Sequence, residues 1–175
     1  NGQSPVHLCQ LADDTFALTC ATGGANSRGA VRFLSSAGVS LLKVDLTTDI
    51  TTSGTQNYAG AVTLSGGDRT LTGTTINTQS TLAGGSNALT ITGAADIDGA
   101  FTGLTSLSVS GTSNVGANVT TSGTQTYVGA VTLSGGDRVL TGSTVNTQST
   151  LAGGSNALTI TGAADIDGAF TGITK

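Results

Sequence analysis

The sequence predicts an all-β chain wound as a right-handed parallel β-helix, a β-solenoid, and three observations lead there. The chain contains a near-perfect internal duplication. A short phrase alternating apolar and hydroxyl residues recurs inside each copy, and aromatic residues make up only 3% of the 175 residues, with no Trp. A repeat of this kind builds one supersecondary unit after another, each burying its apolar residues against the next. The 37% hydrophobic fraction is spread as Val, Leu, Ile and Ala in twos and threes, which suits many short strands and not helices.

The duplication runs from Thr51 to Gly103 and again from Thr120 to Gly172, each position recurring at its own number plus 69. Five positions differ: Asn57/Thr126, Ala59/Val128, Thr70/Val139, Thr74/Ser143 and Ile76/Val145. Residues 35–50 fill the place before the first copy in diverged form, as Leu104 to Val119 do before the second. The expected organisation is therefore an N-terminal cap or junction over 1–34, a first repeat over 35–103 and a second over 104–172. Residues 173–175 then begin a further repeat or mark a truncation, so the natural protein is expected to continue, and the non-Met start suggests a removed signal peptide.

Three phrases define the unit: Leu107-Ser108-Val109-Ser110-Gly111, Val131-Thr132-Leu133-Ser134-Gly135 and Leu158-Thr159-Ile160-Thr161-Gly162. In a strand the alternation sends two aliphatic side chains to one face and two hydroxyls to the other. The phrases begin at spacings of 24 and 27, and a further 18 reaches the next unit, which predicts three coils of about 23 residues per 69-residue repeat. Val115, Val119, Tyr127, Leu140, Val145, Leu151, Ile166 and Phe170 supply the other strands. Gly135-Gly136-Asp137 and Gly153-Gly154-Ser155-Asn156 supply the corners, where positive φ is needed. Tandem 69-residue sandwiches are the competing fold; the missing aromatic anchors and the internal phrase speak against them.

Cys9 and Cys20 are the only cysteines and flank a hairpin pattern in which Cys9 pairs with Cys20 and Leu11 with Leu18. A disulfide joining Cys9 and Cys20 follows, and with it an oxidising, extracellular compartment. Charged residues are 9% of the chain, six cations against ten acids, all Asp, for a net charge of -4. No basic patch exists to neutralise phosphates, so nucleic acid is not an expected partner. No apolar run is long enough to span a membrane as a helix, and membrane insertion is not expected.

The phrase Thr121-Ser122-Gly123-Thr124-Gln125-Thr126-Tyr127, followed by Gly129-Ala130-Val131-Thr132-Leu133, resembles the repeats of filamentous-haemagglutinin-like exoproteins and related giant bacterial adhesins. The resemblance covers residues 51–175. It implies export to the bacterial cell surface and a role in attachment, aggregation or biofilm, with host or neighbouring-cell glycans as partners. The Asn-Pro-rich motifs of a two-partner secretion domain are absent from the N-terminal part. On this reading the chain is a structural segment of a surface fibre or adhesin stalk. A self-assembling filament subunit joined end to end through residues 1–45 is one alternative. The other is an ice- or carbohydrate-binding surface built from Ser108/Ser110, Thr132/Ser134 and Thr159/Thr161, should these share a face.

Chemical sites are few. Asp96-Ile97-Asp98 and Asp165-Ile166-Asp167 place two carboxylates on one strand face, where they would hold Ca²⁺ between coils. Against this stands a solvated corner, since calcium takes six or more oxygens. Ser65-Gly66-Gly67-Asp68-Arg69 and its copy Ser134 to Arg138 read as β-turns with a local Asp/Arg pair, because no Lys-Ser/Thr or helix start follows as phosphate binding requires. Tyr58 and Tyr127 read as partly buried corner residues in preference to sugar platforms. His7 has no catalytic partner, and Asn118-Val119-Thr120 is a formal glycosylation sequon. There is no Glu, and six of the ten acids recur in pairs 69 apart, so no catalytic residue, cofactor or enzymatic activity is expected.

Overall fold

The computed structural model describes Leu8–Gln10, Phe16–Leu18 and residues 43–174. The chain divides into two compact units, residues 1–42 and 43–175. In the first, Leu8–Gln10 and Phe16–Leu18 pair antiparallel with Leu8 opposite Leu18 and Cys9 opposite Ala17. The expected hairpin exists, but its register differs from the predicted one, which set Leu11 against Leu18. Both registers set a leucine against Leu18, so the apolar pattern alone does not choose between them. Cys20, His7 and the predicted boundary at residue 35 lie outside the described residues.

The second unit is a parallel β-solenoid. Each coil contributes three strand positions, and each position stacks on its counterpart in the next coil. On the first side the inward ladder runs Val44, Val62, Leu82, Phe101, Val119, Leu140, Ile160. The second side runs Ile50, Leu71, Ile91, Val109, Tyr127, Thr147, Ile166. On the third side the ladder is Gln56, Ile76, Ala95, Ser113, Val131, Leu151, Phe170. Seven coils are thereby stacked, with parallel pairing throughout.

These ladders correct the predicted coil. Stacked partners lie 18 to 21 apart in sequence, as in Val44 to Val62 and Ile50 to Leu71. From Val44 to Ile160 the first ladder climbs six coils, which gives roughly 19 residues to a coil in place of the expected value near 23. Val62 stands on the first side of the second coil, whereas its copy Val131 stands on the third side of the fifth. One 69-residue repeat thus spans eleven strand positions, three coils and two thirds. The phrases at Leu107, Val131 and Leu158 lie on the second, third and first sides, because each step between them covers one coil and one further strand. Only the interval of 18, as from Leu89 to Leu107, is a true coil.

Variation in coil length is absorbed at corners. Between Thr72 and Thr75 one coil has an extra residue relative to its neighbour, where Thr92 and Ala94 flank Gly93 alone. Gly93 takes φ 133° and its copy Gly162 takes 127°. A Cβ on either would run into the carbonyl oxygen of Gly73 or Gly142 in the preceding coil. Only glycine lets the two backbones approach so closely with that φ.

Burial shows what coil stacking contributes, because the duplication provides its own control. Phe101 is 0% exposed, and its copy Phe170, in the seventh coil, is 50% exposed. Leu89 and Ile91 are fully buried, while Leu158 and Ile160 are only partly so. Identical local sequence therefore gives different burial, and the difference is the coil that lies on the other side. A fully buried aliphatic or Phe side chain contributes roughly 1.5–3 kcal/mol. Phe101→Ala is expected to cost about 3–5 kcal/mol in chemical denaturation, while Phe170→Ala costs below about 1 kcal/mol. Equal costs would contradict burial by stacking.

Candidate functional site

The corners are fastened by side chains that reach one coil across. Asp68 Oδ1 accepts from the backbone N–H of Ala88 at 2.8 Å, and Asp137 Oδ1 does the same for Ala157 at 2.8 Å. Asp49 Oδ1 accepts from Thr70 N at 2.9 Å, and at the equivalent position Asn118 Oδ1 accepts from Val139 N at 3.0 Å. The corner amides have no ladder partner there, and an Asx oxygen satisfies them. Arg69 donates through Nε to the Leu46 carbonyl at 3.0 Å, and its guanidinium also reaches the carbonyls of Asp68 and Ser65. Arg138 donates to the Ser134 carbonyl at 2.9 Å. The Ser-Gly-Gly-Asp-Arg segment is thus a corner in which Asp and Arg each bind backbone. The predicted Asp/Arg pair gives way to these contacts because the carboxylate is occupied by the next coil.

At the following corner Asn87 Nδ2 donates to the carbonyls of Gly84 at 2.9 Å and Leu64 at 3.3 Å. Asn156 repeats this with Gly153 at 2.8 Å and Leu133 at 3.4 Å. Ser86 and Ser155 hold positive φ values of 63° and 68°. That conformation is uncommon outside glycine, and here the neighbouring Asn clamp holds it. The glycines of this corner were legible in the sequence; the Asn clamp between coils was not.

The tyrosines are not corner residues. Tyr58 and Tyr127 point inward from strands, 8% and 0% exposed, so neither offers a sugar platform. Tyr127 OH donates to Gln125 Oε1 at 3.0 Å, and Gln125 Nε2 donates to the carbonyls of Thr141 at 2.7 Å and Val119 at 3.1 Å. Tyr58 and Gln56 form the same pair at 2.7 Å, with Gln56 Nε2 on Thr72 O at 2.7 Å. The buried Tyr and Gln groups thereby find partners, whereas the inward hydroxyls of Ser113 and Thr147 have none. Burial pushes the Tyr58 phenol up to about 12 and raises Tyr127 as well.

The carboxylates expected to hold calcium are spread out. Asp96 stands on the third side of the third coil and accepts from Asn114 Nδ2 at 2.8 Å. Asp165 stands on the second side of the seventh coil and accepts from Asn146 Nδ2 at 2.9 Å. Asp98 and Asp167 lie just past their strands and are exposed. Among the described residues no group of three or more His, Cys, Asp or Glu gathers where a metal ion would need it. The four carboxylates share no site, because equivalent residues of the two copies face different sides.

The same phase places the hydroxyl pairs Ser108/Ser110, Thr132/Ser134 and Thr159/Thr161 on three different sides, so they do not form the single ladder expected of them. A different set does align. On the second side Thr70, Thr90, Ser108 and Thr126 stack in successive coils. Beside them runs a second column of Thr51, Thr72 and Thr92. The signal was present in the pairs Thr70 with Thr72, Thr90 with Thr92 and Ser108 with Ser110, and the wrong coil length concealed it.

Two outcomes follow for the buried pairs. Gln125→Leu alone should destabilise by about 1–3 kcal/mol, because it strands the Tyr127 hydroxyl, and adding Tyr127→Phe should recover part of that loss in a double-mutant cycle. A phenol raised above its unfolded value, near 10, contributes stability that is complete below that pH and lost as pH rises through the folded value. For Tyr58 that window is about 10 to 12. Alkaline melts should therefore show stability falling above pH about 10, and the fall should shrink in a Tyr58→Phe, Tyr127→Phe double variant. No helix among the described residues is long and apolar enough to cross a membrane. No family model matches the chain, and neither the curated proteins nor the solved structures yield a match to it.

Proposed function

We propose that this chain is a non-catalytic, extracellular structural segment of a bacterial surface fibre or adhesin stalk, of the kind its likeness to filamentous-haemagglutinin-like repeats implies. Its coils would take the right-handed winding that connections between parallel strands overwhelmingly adopt. One observation carries this reading. The duplicated sequence supplies strand positions on whichever side of the stack it falls, so that each repeat lengthens the solenoid by eleven of them. Several further features support it. The recurring carboxylates Asp68 and Asp137 are engaged in fastening corners, and Asp96 and Asp165 in pairing with asparagines, where a hydrolytic site would need them converging on a substrate. The outer surface is largely Thr, Ser, Asn and Gly, which keeps a long solenoid hydrated with little net charge. Export belongs to the same proposal, whereas the observed register, with Cys9 opposite Ala17, removes the facing pair on which the Cys9 to Cys20 bridge was expected.

Insertion of a third 69-residue copy between Gly103 and Leu104 tests it. With coils about 4.8 Å apart, the solenoid should lengthen by roughly 18 Å in small-angle scattering and in electron micrographs, without loss of thermal stability. An insertion that leaves the length unchanged or unfolds the chain defeats the proposal. Periodic end-to-end polymers would replace the stalk with the filament subunit.

A further inference from the structure

The two copies are nearly identical, yet two of their five differences fall on outward strand positions whose sides differ. Thr70 and Thr126 both belong to the second side, and each completes the column Thr70, Thr90, Ser108, Thr126. Their counterparts would break it: Val139 occupies the place of Thr70 in the second copy, and Asn57 that of Thr126 in the first. Asn57 meanwhile stands on the third side next to Asn77, which pairs onward with Asp96. At these positions the residue follows the column it joins and departs from the copy it descends from.

The completed surface has unusual properties for a protein exterior. It is an array two hydroxyls wide, Thr70 with Thr72, Thr90 with Thr92 and Ser108 with Ser110, on parallel strands in continuous register. Its spacings are set by the backbone, about 4.8 Å between coils and about 6.6 Å between alternate residues. None of the side-chain hydroxyls of Thr70, Thr72, Thr90, Thr92 and Ser108 is engaged in a hydrogen bond within the described residues, while Ser110 Oγ accepts from Gly93 N at 3.0 Å. Between Asp49 in the first coil and Asp165 in the seventh the columns carry no charge, and no aromatic ring lies on them.

We infer that the second side of coils two to four, extended by Thr126 of the fifth coil beside the exposed Val128, is a binding surface for a crystalline water lattice, that is, for ice. Threonine offers a hydroxyl to the lattice and a methyl that fills the space between its molecules. β-Branching holds χ1 in few rotamers, so that little order must be gained on contact. Charged groups, which bind water too strongly and irregularly to fit a crystal, are excluded. A neutral polysaccharide is the other hydroxyl-rich lattice, and the array gives it no aromatic platform. This surface is independent of the stalk reading, since a stalk need not carry it.

The duplication again provides the control. Thr90 lies on the second side of the third coil, and its copy Thr159 on the first side of the seventh, where the residue beside it in the preceding coil is Val139. Ice-recrystallisation inhibition and thermal hysteresis would be measured on the full chain, alongside Thr90→Lys, Thr159→Lys and Thr70→Val, with melting curves to confirm folding. The wild type should inhibit growth, Thr90→Lys should reduce the effect by about tenfold or more, Thr70→Val should weaken it, and Thr159→Lys should leave it unchanged. An inactive wild type, or equal loss in Thr90→Lys and Thr159→Lys, overturns the inference. So does retention of the wild type on insoluble cellulose or chitin that Thr90→Lys abolishes, since the array would then serve a polysaccharide.

Discussion

Every part of the solenoid unit rests on one constraint: a strand whose inward residues are small and aliphatic has no core of its own and must borrow it from the coils on either side. Parallel pairing satisfies the backbone and brings Val62, Leu82 and Phe101 into contact at the same time. The contrast between Phe101 and Phe170 makes the dependence visible, because the same phrase is interior or exposed according to its neighbours. Stability in such a stack is a sum of coil interfaces and not the property of a single globular core.

That constraint governs where polar residues are tolerated. Gln56 and Gln125 enter the interior only with a tyrosine and backbone carbonyls to receive them. At the corners the ladder is interrupted, and Asp49, Asp68, Asn118 and Asp137 take over the amides left open. Corners also carry the irregularity, so coils of unequal length stack with their strands still in register between them. That register is what permits an ordered outer array on a chain whose coil lengths vary.

The fractional phase of the repeat has consequences for function. Eleven strand positions do not divide evenly by three, so each copy presents its outward groups to a different side. Copying carries a column intact to another side, as Thr51, Thr72 and Thr92 on the second side recur as Thr120, Thr141 and Thr161 on the first. Where residues of the two copies meet in one column, a substitution adjusts the match, as at Thr70 and Thr126, and Asn57 beside Asn77 is the counterpart on another side.

By itself the sequence determined the class of fold, the inward alternation of each phrase and the glycine corners, since these depend on residues within a few positions of one another. The duplication and the small aliphatic composition left a solenoid as the economical way to bury what there was to bury. Only the tertiary structure decided the length of a coil, and with it the side on which every outward residue stands. The phrases at Leu89, Leu107, Val131 and Leu158 follow one another at three different spacings, and each returns the chain to a strand. Which spacing closes a full turn depends on where the chain bends, and that is set by contacts between coils such as the approach of Gly93 to Gly73 and the reach of Asp68 to Ala88. Likewise Tyr127 reads from the sequence as a corner residue, and the ladder turns it inward together with Gln125, because alternation fixes that neighbours face opposite ways without fixing which way is in.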